Sequence, residues 1–384
     1  MFDGSAARKL DPAQAPPRLQ LAGASVSVEA VGAMDDPTDR QELQALVRRA
    51  NERSFGAGVG HEVHPNWLAV LSDGLGHRPR GLVARTADGD LVGWMPLAEV
   101  RSRLFGKHLS SLPYLNRAGL IAEGDDARDA LLDAAVEQSD RLDARQLLVR
   151  FDGDAPQHPA WTDLRQGKPR LLLDLPTDAG SLWDLLPAKV RNQIRKGRRQ
   201  PLEFRFGGVE LLDGFYEVFA KNMRDLGTPV YGRRLFSSIL EHFEDEAELV
   251  CVSMRGQAVG GALLIHDRWS GARLSQVPSA SCLRETNPLS VNMAMYWRLL
   301  ERSLERGARA FDFGRSTAGS GPYRFKRQWG AEPSTTTWAS VARKGGEQDL
   351  RPDGLKHRRR VQAWKKLPLL VTRKIGPAIV RGVP

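Results

Sequence analysis

Basic, aromatic and hydroxyl side chains crowd one stretch of the sequence, FDFGRSTAGSGPYRFKRQWG, at residues 311–330. It opens as a short apolar strand in which Asp312 lies between two phenylalanines, so its carboxylate should face the opposite side of the sheet from both rings. Gly314 lets the chain turn, and Arg315 and Ser316 follow at the strand end. The strand end is therefore predicted to be polar and cationic.

A loop of small residues leads from this strand into a basic, aromatic segment that could start a helix and that contains Tyr323 and Lys326. Two interpretations without a catalytic role stay open from the residues alone. Lys326 can be one more solvated cation, and Asp312 can be a buried carboxylate bonded to the backbone or to Arg315.

A second basic segment runs from Ser181 to Arg199 (SLWDLLPAKVRNQIRKGRR) and is predicted to form a helix capped by Ser181. Six of its last eleven residues are lysine or arginine. Cations near a helix C-terminus are favourable by only about 0.3–1 kcal/mol each, so this density exceeds what the helix dipole requires. An anion-binding role and an ordinary solvated face both remain open.

The length and charge of the chain indicate two domains and a basic C-terminal segment. The 384 residues exceed one average domain. The net charge is +10, and residues 343–384 contain twelve basic and three acidic residues, so the rest of the chain is nearly neutral. Two cysteines form neither a disulfide framework nor a zinc cluster, and no metal site is predicted. Without an apolar signal segment or a membrane-spanning run, the expected location is cytoplasmic.

The sequence contains one internal repeat. Each half is predicted to hold an antiparallel hairpin, then a helix, then an apolar strand. These lie at 80–97, 126–142 and 146–151 in the first half, and at 249–266, 287–306 and 310–313 in the second. The repeat predicts an α+β fold of two similar lobes, although this order of elements is common enough to arise without duplication.

The sequence also resembles a known family. FDFGRS followed by GPYRFKRQWGAEP is similar to the C-terminal lobe of FemAB-like proteins, in particular the FemAB-related group associated with exosortase (PEP-CTERM) exopolysaccharide systems. The segments LLPAKVRNQIRKG, DLGTPVYGRRLF and LVGWMPLAEVRSRLFGKHLSSLPYLNRAGL extend the resemblance over most of residues 30–340. It implies two tandem GNAT-like (acyl-CoA N-acyltransferase) lobes with mixed sheets, in agreement with the repeat.

The resemblance implies acyl transfer to an amine. In Fem enzymes the lysine of a Phe-Lys pair serves near the reacting centre, which makes Lys326 the first catalytic candidate, and Asp312 could orient or deprotonate the amine. The expected substrate is a cell-envelope or exopolysaccharide precursor. The substrate-binding candidates are Arg315, Ser316 and Tyr323, together with Lys189, Arg191 and Asn192 for a phosphate or a lipid-linked acceptor.

Two departures from these families limit the choice of acyl donor, which is either aminoacyl-tRNA or acyl-CoA, with no tightly bound cofactor expected. Residues 279–289 (SASCLRETNPL) hold no glycine where a GNAT enzyme carries its glycine-rich pyrophosphate loop. No long heptad segment marks the coiled-coil arm of some Fem enzymes. An acyl-CoA-dependent N-acyltransferase of an amino sugar or lipid amine, and a catalytically silent glycolipid-binding scaffold, remain alternatives.

Four regions are predicted: a disordered N-terminus at 1–24, an N-terminal lobe at 25–170, a C-terminal lobe with the site at 171–342, and a basic amphipathic tail at 343–384. Within the tail, residues 351–384 mix basic and apolar side chains. That mixture suits a helix on an anionic membrane surface, so a peripheral location on the membrane is one expectation. Contact with RNA such as tRNA, or simple packing on the body, are the others. Pro368 and Pro377 are expected to interrupt any long helix.

Overall fold

The computed structural model describes residues 26–52, 60–103, 105–115, 118–343 and 355–382, so the predicted disordered segment 1–24 lies outside the described residues. The described chain forms α-helices and β-strands in two lobes. The helices are α1 (Pro37–Glu52), α2 (Asn66–Leu75), α3 (Asp125–Arg141), α4 (Ala179–Leu185), α5 (Ala188–Arg198), α6 (Leu212–Leu226), α7 (Arg233–His242), α8 (Val291–Glu305), α9 (Gly321–Arg327), α10 (Leu355–Lys365) and α11 (Leu369–Val380). The strands are β1 (Val26–Ala30), β2 (Arg78–Pro79), β3 (Leu82–Thr86), β4 (Leu91–Met95), β5 (Leu97–Ser102), β6 (Gly106–Ser111), β7 (Ile121–Ala122), β8 (Gln146–Asp152), β9 (Asp163–Gln166), β10 (Arg170–Asp174), β11 (Leu202–Gly207), β12 (Ala247–Met254), β13 (Gln257–His266), β14 (Leu274–Cys282), β15 (Ala310–Arg315), β16 (Glu332–Ser334) and β17 (Thr336–Ala342).

The predicted repeat is present in the fold. In the first lobe, β3 and β4 form an antiparallel hairpin, and α3 connects the parallel pair β6 and β8. In the second lobe, β12 and β13 form the hairpin, and α8 connects the parallel pair β14 and β15. A parallel pair needs such a crossover connection, which explains why each helix follows its hairpin and precedes an apolar strand.

The two lobes differ because the first is divided into two sheets at Pro96. This residue separates β4 from β5, and it has no N–H with which to continue the ladder. The strand orders are β1-β3-β4-β7 and β2-β5-β6-β8-β17-β9 in the first lobe, and β11-β12-β13-β14-β15-β10-β16 in the second.

One strand crosses the predicted lobe boundary. β17, at residues 336–342, pairs antiparallel with β8 and with β9, so it completes a sheet of the first lobe although the sequence places it at the end of the second. On the other side of the junction, β10 begins at Arg170 and pairs with β15. Side chains from β8, β9, β17 and the end of β15 can therefore meet between the lobes.

The seven-stranded sheet is buried on both faces. One face packs against α6 and α7 in an apolar core shared with α1 and α2 of the first lobe, and the other packs against α5 and α8. Helices α5 and α8 approach closely because α5 carries glycine at the crossing, where a Cβ on Gly197 would lie 2.5 Å from the carbonyl oxygen of Ser290. A third core holds α3 against the sheets of the first lobe.

Two helix predictions are corrected by the structure. The segment 181–199 is divided into α4 and α5 at Pro187, and the N-cap of α4 is Asp178, whose Oδ1 accepts a hydrogen bond from the Ser181 amide at 2.9 Å. Ser181 therefore lies inside the helix. The helix predicted over 287–306 begins at Val291, and Pro288 belongs to a preceding 3-10 helix. Pro187, which has no N–H, separates α4 from α5, whereas Ser290, with φ +60°, separates the 3-10 helix from α8.

The described part of the tail packs on the body as two helices. Pro368 separates α10 from α11 as predicted, whereas Pro377 lies within α11 and does not interrupt it. Helix α11 lies close to Val230, since a Cβ on Gly376 would come within 2.9 Å of the Val230 amide nitrogen. The chain is also tied down at Arg381, whose carbonyl accepts from the Tyr114 hydroxyl at 2.8 Å. None of the helices in the described ranges has the length and apolar character needed to cross a membrane.

Candidate functional site

The end of β15 lies where two parallel strands diverge. The register between β14 and β15 runs from Leu274 opposite Ala310 to Gln276 opposite Asp312 and then stops. Both strands continue, to Cys282 and to Arg315, without pairing to each other. Residues 313–315 are thus bordered by β10 on one side and by the opening between the strands on the other.

Helix α9 places Lys326 at this opening. The helix starts after Ser320, whose side chain accepts a hydrogen bond from the Tyr323 amide at 3.2 Å. One and a half turns later, Lys326 Nζ donates to the carbonyl oxygens of Gly314 and Arg315, both at 3.1 Å. An ammonium group has three N–H donors, so this geometry leaves one for another acceptor.

Burial changes the titration of this lysine. The side chain is buried, with 9% of the residue exposed. Burial lowers the pKa of Lys326 to about 8, the nearby Arg315 acts in the same direction, and the Asp312 carboxylate opposes both. The group remains mainly charged at neutral pH, and its charge is held in a water-poor place where electrostatic interactions are strong.

Asp312 is fully buried, with 0% of the residue exposed. Its Oδ2 accepts from Arg170 Nε at 2.7 Å and from Gln276 Nε2 at 2.8 Å, and its Oδ1 accepts from the Gly314 amide at 2.6 Å. Gly314 has φ +75°, a conformation that favours glycine. Asp312 thus holds the turn whose carbonyl receives Lys326, and both of its oxygens are occupied.

The other predicted residues of the strand end are dispersed around it. The guanidinium carbon of Arg315 lies 5.2 Å from the ring centroid of Trp338, and burial lowers the pKa of Arg315. Ser316 is buried, and its amide donates to the Pro169 carbonyl at 3.0 Å. Tyr323 is half-buried and packs against the core that contains α8. Of these three, Arg315 is the residue that lies beside the Lys326 ammonium.

The three candidates on α5 occupy a separate place. Lys189 and Asn192 are exposed, and Asn192 Oδ1 accepts from Arg195 Nη1 at 2.9 Å. Within the residues that the structure describes, no hydrogen bond, ion pair or ring contact joins Lys189, Arg191 or Asn192 to the end of β15. The structure therefore does not bring the two predicted groups of site residues into contact.

Several residues of this region were not predicted from the sequence. Arg170 and Gln276 hold Asp312, and Tyr231 lies close enough to Arg315 for the two to influence each other's titration. Burial raises the pKa of Tyr231 to about 12, so its hydroxyl stays protonated. Tyr231 is part of the DLGTPVYGRRLF segment that carries the family resemblance, which is the one signal that could have identified it.

The described ranges contain no group of three or more His, Cys, Asp and Glu side chains that could hold a metal ion.

Comparisons with known proteins agree with this architecture. Residues 187–327, from α5 to the end of α9, match the acetyltransferase (GNAT) domain family. No curated protein matches the sequence. The crystal structure of FemX is similar at a TM-score of 0.59 and 15% identity, covering 80% of this chain and 96% of that one.

Two further solved structures are similar over most of the chain. A tandem GNAT protein from the clavulanic acid biosynthesis pathway has a TM-score of 0.51 and 15% identity, covering 83% of this chain and 98% of that one. The N-myristoyltransferase of Saccharomyces cerevisiae with bound myristoyl-CoA has a TM-score of 0.52 and 9% identity, covering 87% of each chain. The predicted α+β fold of two GNAT-like lobes is confirmed, and with its GNAT domain the protein is an acyltransferase whose fold is similar to that of FemX.

Proposed function

We propose that this acyltransferase moves an acyl or aminoacyl group onto an amine of a cell-envelope or exopolysaccharide precursor. The observation that carries the proposal is the buried Lys326 ammonium at the diverging end of β15, inside the GNAT domain. The similarity to FemX, together with the Phe325-Lys326 pair that resembles Fem enzymes, supports an amine as the acceptor.

In this reaction the amine nitrogen attacks the donor's carbonyl carbon, and the carbonyl oxygen becomes an oxyanion. Collapse of this intermediate restores the carbonyl and breaks the bond to the ribose oxygen of tRNA or to the sulfur of CoA, and that leaving group takes up the proton that the amine loses. Lys326 has one N–H free to donate to the oxyanion. A fixed positive charge in a water-poor site stabilises the oxyanion better than water would. The Tyr231 hydroxyl, which lies close enough to Arg315 to affect its pKa, is a candidate for a second donor. Asp312 has both oxygens bonded, so we assign it to positioning the turn rather than to accepting the amine's proton.

The segment 279–289 bears on the choice of acyl donor. Residues 279–282 belong to β14, and 284–289 form a 3-10 helix, so no open loop occurs there. The amides of Leu283, Thr286 and Ser290 donate to the carbonyls of Val259, Leu283 and Asn287 at 2.9–3.1 Å. Amides that are already bonded cannot wrap a pyrophosphate. We therefore rank an aminoacyl ester of tRNA ahead of a CoA thioester as donor.

A thermal-shift titration of the purified protein with aminoacylated tRNA, acetyl-CoA and a long-chain acyl-CoA tests the donor. A donor at about 100 times its dissociation constant should stabilise the fold by roughly 2.7 kcal/mol. We expect stabilisation by the charged tRNA that exceeds stabilisation by the same tRNA without its amino acid. Stabilisation by a CoA thioester alone would instead favour the CoA-dependent reaction, and no stabilisation by any donor would favour a silent scaffold.

We also propose that α11 lies on an anionic membrane surface. Its inner side faces the body through Thr372 and Gly376, which are buried. Leu370 on the same helix is 79% exposed, and Val371 and Ile375 are each 39% exposed. Exposed apolar side chains beside lysine and arginine are typical of helices that bind anionic interfaces.

Co-sedimentation with vesicles tests this role of α11. The Leu370→Asp/Ile375→Asp double variant should lose most binding to phosphatidylglycerol vesicles, because both apolar contacts are replaced by charges that the anionic surface repels. Leu185→Asp is a matched control, since Leu185 is 73% exposed on α4. Equal loss in the control, or binding of the double variant at the wild-type level, would contradict the proposal, and binding to RNA instead of vesicles would favour the nucleic-acid alternative.

A further inference from the structure

Three arginines from both lobes surround one indole ring next to the Lys326 site. Arg150 on β8 and Arg165 on β9 are both register partners of Trp338 on β17. Their guanidinium carbons each lie 5.0 Å from the centroid of the indole, and that of Arg315 lies 5.2 Å from it. We call these four residues the arginine–tryptophan cluster.

The first-lobe arginines of this cluster, Arg150 and Arg165, are not balanced by carboxylates among the described residues. Arg150 is buried, with 3% of the residue exposed. Burial, with Arg315 and Arg165 acting in the same direction, lowers the pKa of Arg150 to about 9, and only the phenols of Tyr114 and Tyr231 oppose this. Within the described ranges no ion pair joins Arg150 or Arg165 to an acidic side chain. Contacts with an aromatic face stabilise a guanidinium without neutralising its charge.

Arg150 also keeps one unused buried hydrogen-bond donor. Its Nη1 donates to Ser110 Oγ at 3.0 Å, to the Ser111 carbonyl at 2.8 Å and to the Leu112 carbonyl at 3.5 Å. Its Nε is buried and has no acceptor among the described residues. An unpaired buried charge is costly, so an arginine buried with an unused donor among other cations indicates a site whose anion comes from elsewhere.

The anion would lie next to the reacting centre. Arg315 belongs to the cluster through its side chain, and its carbonyl oxygen accepts the hydrogen bond from Lys326 Nζ. A group held by the guanidiniums would therefore lie on the Arg315 side of the Lys326 site. Guanidinium groups bind carboxylates and phosphates through two parallel N–H donors, which selects these anions over neutral groups.

We propose that the arginine–tryptophan cluster binds a carboxylate or phosphate group of the amine acceptor, so that the acceptor of this acyltransferase is an anionic molecule. The inference rests on the proposed function in one respect, which is that the bound anion belongs to the amine acceptor. The existence of the anion site depends only on the cluster itself. Because Arg150 and Arg165 come from the first lobe and Arg315 from the second, the bound anion would join the two lobes across the site.

Anion titration of the full-length protein tests the site without donor or acceptor. Inorganic phosphate and sodium acetate are titrated at constant ionic strength, and tryptophan fluorescence is followed, with Trp338→Phe identifying the signal of Trp338 among the nine tryptophans. We expect saturable binding. A higher affinity for phosphate than for acetate would indicate a phosphorylated acceptor, and a higher affinity for acetate would indicate an acceptor with a carboxylate. Arg150→Gln should weaken binding about tenfold or more, since a charged hydrogen-bond donor is removed.

Two further variants keep the test decisive. Arg165→Gln removes a half-buried member of the cluster and should also weaken anion binding. This variant tests the site even if Arg150→Gln fails to fold. Arg205→Gln, on the exposed edge strand β11, is the matched control and should bind as the wild type does. The proposal is overturned if neither anion binds up to tens of millimolar, or if the cluster variants bind as tightly as the control. If the protein binds the anion but none of the acyl donors, the anion site is supported and the proposed reaction is refuted.

Discussion

Replacing Lys326 with alanine is expected to lower kcat/KM for acyl transfer by about 10²–10³-fold, the usual cost of removing one donor to a developing oxyanion. The reason is that the ammonium is fixed by two carbonyls and retains one N–H for the reacting oxygen. Rates are measured per folded enzyme, since the two carbonyls lose their donor and stability should fall by about 1–3 kcal/mol. Lys326→Gln keeps a hydrogen-bond donor without the charge, so it separates the effect of the lost charge from the effect of the lost hydrogen bonds.

The same lysine predicts a pH dependence. Its pKa is lowered to about 8, so the charged form that stabilises an oxyanion is present below that pH and is lost as pH rises through it. We expect kcat to decline on the alkaline side with a midpoint near 8, and this decline to be absent in Lys326→Gln. Lys221→Ala, which removes a surface ion pair with Glu285, is the control and should change neither rate nor profile. A Lys326→Ala enzyme of wild-type activity would refute the catalytic assignment.

Removing Asp312 is expected to destabilise the fold more than any surface change. Asp312→Ala leaves Arg170, which is 0% exposed, without its short ion pair, and the remaining carboxylates of Asp152 and Glu62 lie 3.6 and 3.9 Å from it. Breaking a buried pair by removing one partner costs about 3–5 kcal/mol, because the other charge stays buried. Urea unfolding measures this loss.

The double variant Arg170→Met/Asp312→Leu tests the mechanism of the loss. Replacing both partners by apolar groups should recover a large part of the stability, since no uncompensated charge is left. Glu285→Gln removes an exposed ion pair and should cost less than about 1 kcal/mol. If Asp312→Ala is nearly as stable as the wild type but inactive per folded enzyme, Asp312 has a direct chemical role instead of the positioning role assigned here.

The sequence alone predicted the elements whose signals are local. The hairpins around Gly89 and Gly256 follow from tight-turn residues between apolar runs, and α3 and α8 follow from apolar residues at helical spacing. Strand β15 and helix α9 were likewise predicted, with Lys326 in place on the helix. Pro187 was visible in the sequence as well, and the single helix drawn through it was an error of interpretation.

The sequence by itself thus determined the order of elements, the two-lobed GNAT architecture and the cationic strand end. Only the tertiary structure decided which strands pair outside the hairpins and which distant side chains meet. Arg170 reaches Asp312, and β17 returns to the first lobe and brings Trp338 beside Arg150. The physical reason is that periodicity and turn residues report on neighbours along the chain. The backbone hydrogen bonds that join two strands are nearly the same for every sequence, so the choice of partner depends on how the whole core packs.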